Sequence, residues 1–400
     1  MKLFRRMATS LLSVCVVVSM FYQPAQGHRS QPAELYHRAW ELVKDNYYDA
    51  NYNGCNWVDL EHKYDNQLKT TSDAYKCIKL MLESLNDPYT RFLDPKAFQD
   101  ENDAIDAHIV GIGINLQQPK DSTRLVVTRT IENGPAETAG VRAGDEIVAI
   151  DGENAVGMSP EQAAEHIRGK IGTPVQLALK HGSQNKTVCI TRQEIAIHAV
   201  STKQLSSGIG YIQLSTFISS DASKEFRAAL QKFANADGIV LDLRDNPGGL
   251  LSNALEIADM LLENGSIVST ISRHGRHTDF SSGEPMTRQP IVVLVDEDSA
   301  SASEILASAL KDNARAIVIG TKTYGKGLVQ EINRLPGGAA IHVTVSRYLT
   351  PSGSDINKVG VMPDIAVAEK SDQMKVAVAY LKEKIASLKP IKTSSLYQSE

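Results

Sequence analysis

The stretch DEDSASASEILASALKDNARAIVIGTKTYGKG (Asp296–Gly327) decides how the chain is read. It follows the apolar run PIVVLVDE, and it passes from a serine-alanine alternation into a helical pattern opened by Glu304. A second apolar run, ARAIVIG, then leads to a lysine between two glycines. Strand, helix, strand in this order predicts parallel pairing with helices on the sheet faces. Consecutive parallel strands end on the same side, so Ser301 and Lys326 are expected to meet beyond the carboxyl ends of their strands. Ser301 at a strand-to-helix turn has the placement of a nucleophile near a positive helix end. The stretch contains no histidine, and a lysine shut away from water can take the proton instead. Ser301-x-x-Glu304 is also a capping box, which is the competing structural role. Ser299 and Ser303 are rival serines without a glutamate three residues on.

The same pattern extends upstream. GIGYIQLSTF, the helix DASKEFRAALQKFANA, the strand GIVLDLR and the helix LLSNALEIADMLLENG continue the α/β alternation from Gly208. LRDNPGGLL lies between that strand and helix, at the same predicted sheet edge. The amide of Gly248 or Gly249, together with that of Ala302, can hold a developing oxyanion. Gln330, four residues beyond Lys326, is in reach to orient its amine. GLVQEINRL and AAIHVTVSRYL are predicted as an antiparallel pair, and DQMKVAVAYLKEKIASL as a last amphipathic helix.

Before this region the pattern changes twice. Residues 28–104 read as a helical domain, with PAELYHRAWELVKDNYY and a second helix capped by Ser72 and ended at Asp87-Pro88. Residues 105–196 read as a small β-rich domain with one helix, SPEQAAEHIRGK, begun by Ser159 and Pro160. Residues 197–370 read as the α/β region that carries the candidate site, and residues 371–400 as the final helix and a polar tail.

Composition bounds the function. The chain has 400 residues, 42% hydrophobic and 22% charged, with a formal charge of −5. Nothing there points to nucleic acid. MKLFRR, the apolar LLSVCVVVSMFY and the small residues Ala25 and Gly27 have the order of an export signal, residues 1–27. Its removal lowers the formal charge to −8. Cys55, Cys77 and Cys189 then remain, either with a Cys55–Cys77 bridge or as free thiols. His274-x-x-His277 lacks the further ligands a metal site needs, so no metal is assigned.

DLRDNPGGLL, DSASASEIL and TYGKGLVQ, in this order, closely resemble the carboxyl-terminal processing proteases, serine proteases with a Ser–Lys pair. GIGINL…GPAETAGVRAGDEIVAIDG looks like their PDZ domain, and LNDPYTRFLDPKAF and VGVMPDIAV resemble segments flanking the domains. The resemblance spans residues 33 to 370. It implies a multidomain α+β protein: an N-terminal helical domain, a β-rich PDZ domain and an α/β core of the crotonase/ClpP-like kind. It also implies Ser301 as nucleophile, Lys326 as general base, Gln330 as its positioner, and oxyanion donors at Ala302 and in the NPGG turn (Gly248 or Gly249). No cofactor is expected. In a PDZ domain, Gly111, Ile112, Gly113 and Ile114 would receive the carboxylate of an extended peptide. Arg168 would couple that groove to the active site. The expected partners are proteins with exposed apolar C-terminal tails, in a periplasm or thylakoid lumen. The rival reading is an inactive PDZ scaffold that binds peptides without cleaving them.

Overall fold

The structure, a computed structural model, describes residues 16–17, 32–106, 108–119, 122–131, 134–196, 198–205 and 208–388. The expected leader lies outside the described residues except for Val16–Val17, and so does the tail beyond Leu388. The chain divides into two compact units, Asp103–Ile197 and the remainder.

The N-terminal segment supplies helices α1 (Pro32–Asn46) and α2 (Thr71–Glu83), strand β1 (Arg91–Leu93) and helix α3 (Pro95–Ile105). The cap of α2 is Thr70 rather than Ser72. Its hydroxyl accepts from Asp73 N at 3.1 Å and Asp73 Oδ2 accepts from Thr70 N at 3.0 Å, a complete capping box. Leu35, Trp40, Val43, Ile78 and Met81 line the apolar stripes of α1 and α2, and they bury against Ile341 and Val343. The helical segment therefore closes its core on a strand some 250 residues later in the chain.

The smaller unit contains β2 (His108–Gly111), β3 (Ile114–Gln117), β4 (Leu125–Thr130), β5 (Glu146–Ile150), helix α4 (Pro160–Ile167), β6 (Pro174–His181), β7 (Gln184–Thr191) and β8 (Gln193–Ala196). Its antiparallel sheet runs β3-β4-β5-β6-β7, and β2 pairs with β8. Ser159 caps α4 with Gln162 returning the bond, as the Ser-Pro start predicts. Val127, Ile147, Leu177 and Ala163 share its core.

The remainder builds two sheets. Strands β9 (Val200–Gln204), β10 (Ile209–Leu214), β11 (Gly238–Asp242), β14 (Ile291–Val295), β15 (Ala316–Gly320) and β18 (Ile365–Ala366) form the first in that order, parallel from β10 onward. The second runs β16 (Leu328–Arg334), β17 (Ala340–Leu349), β12 (Ser266–Ser272) and β13 (Gly275–Phe280), antiparallel, with β1 against β17. The predicted parallel core and the antiparallel β16–β17 pair are both present. The polar stretch around His274 is mostly strand β13, with Arg273 and His274 in the turn before it.

Helices α5 (Ala222–Lys232), α6 (Leu251–Leu261) and α7 (Ala302–Asp312) pack on one face of the parallel sheet, against Ile291, Val293 and Val295. Helix α8 (Lys370–Leu388) packs on the other, where Ala377 and Leu381 meet Val292 and Leu294. Burial on both faces explains why β14 shows no polar alternation.

Candidate active site

Strands β11, β14 and β15 end side by side, and the three motif-bearing loops follow those ends. The backbone of Ser301, between β14 and α7, has φ 57° and ψ −112°, an unusual conformation for a residue with a side chain. Strain of this kind is held in place only by surrounding structure. The side chain is 0% exposed, and its Oγ makes no hydrogen bond among the described residues. Glu304 Oε2 accepts from Ser301 N at 2.8 Å, the carboxylate side of a capping box over Ser301–Glu304, while Ser301 Oγ donates to no acceptor among the described residues.

Glu304 joins the two halves of the site. Its Oε2 also accepts from Lys326 N at 2.9 Å, and its Oε1 accepts from Gly325 N at 2.7 Å and Thr323 Oγ1 at 2.5 Å. The nucleophile turn and the lysine loop thus share one buried carboxylate. Burial pushes the Glu304 carboxyl up, against the pull of these four donors. Tyr348, on β17, adds a second tie, because its hydroxyl faces both Ser301 O, at 3.1 Å, and Lys326 O. The glycines beside Lys326 are needed for close approach. A Cβ at Gly327 would come within 2.8 Å of Asn357 N, and one at Gly325 within 3.0 Å of Gly360 N.

Lys326 is 1% exposed, with its Nζ 4.7 Å from the centre of the Tyr89 ring. Burial, with Tyr324 next in importance, pushes the Tyr89 hydroxyl up to about 12. Gln330 is also 1% exposed, and its Nε2 donates to Thr344 Oγ1 at 3.4 Å.

The NPGG turn packs directly on Ser301. A Cβ at Gly248, where φ is 97°, would lie 2.7 Å from Ala300 O and 3.0 Å from Ala302 N. Gly248 N already donates to Asn246 Oδ1 at 2.9 Å. Asn246, fully buried, also accepts through its backbone oxygen from Ala300 N and Ser303 Oγ, and so pins the serine turn to the turn after β11. Gly249, with φ 146°, lies against Phe217 and Ile218. Ser299 and Ser303 are taken up as structural donors, to Leu243 O and Asn246 O, which leaves Ser301 as the serine without such a role.

In the smaller unit, Gly111 ends β2, Ile112 and Gly113 form the link and Ile114 opens β3, with Ile112 buried and Gly113 at φ 77°. Strand β3 is an edge of its sheet, which leaves one side for an added strand. Arg168 follows α4 as its C-cap, and His166 lies 3.4 Å from Glu153. His274 and His277 are exposed on the β12–β13 hairpin. Asp245 and Asp296 lie close to Asp298, but the Lys370 ammonium already answers the first two at 2.7 and 2.6 Å. Cys55, Cys77 and Cys189 are free thiols.

Residues 208–367 match peptidase family S41, 108–180 match the PDZ domain, and 28–86 match the tricorn protease C1 domain. A carboxyl-terminal-processing protease of Picosynechococcus is 38% identical over 377 residues, covering 92% of this chain and 91% of its own. The chain belongs to the S41 carboxyl-terminal-processing proteases. It is a serine-type peptidase with a PDZ domain. The chloroplastic carboxyl-terminal-processing peptidase 2 of Arabidopsis thaliana is 35% identical, covering 90% of this chain and 74% of its own. The solved photosystem II D1 C-terminal processing protease matches with a TM-score of 0.59 at 33% identity, over 85% of this chain and 94% of that one. Among the described residues, no helix is long and apolar enough to cross a membrane.

Sequence reading of this S41 peptidase missed how much the site depends on Glu304, Asn246 and Tyr348. Glu304 carried the Ser-x-x-Glu spacing and Asn246 lay within the NPGG motif, whereas Tyr348 carried no signal. That spacing identifies a cap but says nothing of the lysine loop on the far side of the carboxylate.

Proposed function

We propose that this chain cleaves proteins near their C-termini with a Ser301–Lys326 dyad. The observation that carries the reading is the shared Glu304 carboxylate, which ties a serine with an uncommitted hydroxyl to a lysine buried from water. Burial disfavours a charged ammonium, so the neutral amine becomes available as a base. Ser301 Oγ attacks the scissile carbonyl as its proton passes to Lys326 Nζ. The oxyanion is held by the Ala302 amide and one amide of the NPGG turn. For Gly248 to serve there, its N–H must leave Asn246. Lys326 then gives the proton to the leaving amine, and in the second half takes a proton from the water that hydrolyses the acyl ester. Gln330 Oε1, which makes no hydrogen bond among the described residues, is the acceptor that would orient the lysine amine.

The PDZ domain would select the substrate. An extended tail adds to the edge strand β3, with its carboxylate at Gly111–Ile114 and its apolar side chains in the adjoining groove, and Arg168 relays occupancy to the dyad. Chloroplastic and cyanobacterial relatives favour an exported protein acting in a lumen or periplasm. Fluorophosphonate labelling followed by peptide mapping tests the dyad. The adduct is expected on Ser301 and lost in Ser301→Ala and Lys326→Arg, and an adduct on any other serine overturns the assignment.

A further inference from the structure

We infer that Asp87, acting through Thr344, fixes which end of the Gln330 amide faces Lys326. The inference rests on the Ser301–Lys326 reading and on Gln330 as the residue that orients the lysine. Asp87 lies in the turn after α2, and Thr344 lies on β17, paired in register with Gln330 on β16. All three are nearly or fully buried, at 8%, 0% and 1% exposure.

The direction of each hydrogen bond can be worked out from Asp87. Its partners are donors: Tyr89 N at 2.9 Å, Thr90 Oγ1 at 2.7 Å and Thr344 Oγ1 at 2.6 Å. Thr90 Oγ1 accepts from Thr344 N at 3.0 Å, and its own proton has Asp87 Oδ2 at 2.7 Å and Thr344 Oγ1 at 3.2 Å as acceptors, so toward the Thr344 hydroxyl it is a donor. Thr344 has one hydroxyl proton, and the short bond to Asp87 uses it. Toward Gln330 it presents lone pairs alone. Gln330 must then turn its NH₂ toward Thr344, which is the 3.4 Å contact seen, and aim Oε1 the other way. That Oε1 is buried and makes no hydrogen bond among the described residues. The contact to Thr344 is long, so its polarity matters more than its strength.

The lysine amine lies beside this relay. Lys326 Nζ sits over the ring of Tyr89, the residue between Asp87 and Thr90 in the chain. An amide oxygen facing a neutral amine accepts one of its N–H bonds and leaves the nitrogen lone pair for the Ser301 proton. A flipped amide would donate into that lone pair and withdraw the base. Asp87 is thus a positioning residue for the base, supplied by the N-terminal segment.

Other ionisable groups surround Lys326. Glu304 accepts from its backbone N–H, Tyr89 lies under its amine, Tyr348 touches its carbonyl, and Glu101 and His342 are within electrostatic reach. Asp87→Asn also removes a charge from this neighbourhood, so the charge-neutral Thr344→Val carries the test. The measurement is the rate of Ser301 acylation by a fluorophosphonate against pH, on full-length protein with thermal melting as the check on folding. Thr344→Val is expected to lower the plateau rate about 10- to 100-fold, the scale of a misplaced catalytic group. Its apparent pKa is expected to fall, since a donating amide disfavours the ammonium. Thr344→Ser, which keeps the hydroxyl, is expected to restore both rate and pKa. A role confined to packing would lower the amount of active protein and leave the pKa where it is. If Thr344→Val folds poorly, Asp87→Asn must show the same loss of plateau rate. An unchanged rate and pKa in a folded Thr344→Val, with Lys326→Arg still inactive, overturns the relay alone. Wild-type acylation in Lys326→Arg overturns the dyad on which it rests.

Discussion

Glu304→Gln is the substitution whose consequence follows most directly from the geometry. The change keeps the shape but replaces one acceptor oxygen with a donor NH₂. Two orientations are possible. Facing the NH₂ toward Ser301 N and Lys326 N sets it against two backbone donors that have no other way to turn. Facing it toward Thr323 and Gly325 is better, because the Thr323 hydroxyl already accepts from Val361 N at 2.7 Å and has a lone pair left for the new donor. That orientation still leaves Gly325 N–H buried without an acceptor, at about 1–3 kcal/mol, and it makes the remaining bonds neutral rather than charge-assisted. A loss on the order of 3 kcal/mol is expected in urea denaturation, with Ser301 acylation slowed about tenfold as the lysine loop loosens. An ordinary helix cap would cost about 1 kcal/mol and leave acylation alone. The two roles separate when both quantities are measured on one preparation. A variant within about 0.5 kcal/mol of wild type that acylates at the wild-type rate would refute the view that this carboxylate joins the two halves of the site.

Ser301→Ala should abolish acyl-enzyme formation and leave the melting temperature nearly unchanged, because Oγ makes no hydrogen bond that the fold would lose; retained peptidase activity in the purified variant would overturn the assignment. Lys326→Arg keeps the charge but provides no base, so its acylation rate should stay at background across the pH range in which the wild-type rate rises, as followed by stopped labelling. Gly113→Val places a Cβ 3.3 Å from both Ile131 and Ile195 at a backbone φ of 77°, and should raise KM for substrates with free C-terminal carboxylates while small-probe labelling persists. Burial works against the Asp296 carboxylate, but the Lys370 ammonium and the Asp245 N–H outweigh it and hold its carboxyl below the ordinary range. Its contribution to stability is therefore complete above the unfolded value of about 3.9 and is lost as pH falls through the lower folded value. Denaturation of Asp296→Asn should show a flatter loss of stability in that acid window than wild type, and identical slopes would exclude the linkage.

The linear chain was enough to determine the alternation of strand and helix from Gly208, the antiparallel pair that follows, and the three loops that carry Ser301, Lys326 and the NPGG turn. Those features are local: apolar periodicity, glycine placement and turn chemistry act over a few residues, and the parallel arrangement follows from chain connectivity. The cap of α2 was misplaced by two residues because Thr70 and Ser72 offer the same chemistry. The β12–β13 hairpin was missed because its outer strand is exposed and polar, with little apolar alternation to read. Tertiary structure alone decided which groups hold the site together. Glu304 accepts from residues about twenty positions away, Asn246 anchors a serine turn that follows it by more than fifty, and Asp87 reaches Thr344 across 257 positions. Hydrogen-bond partners at such separations leave no period in a sequence. The fold selects them, because a buried donor or acceptor must find whatever complementary group the packing of distant segments brings to it.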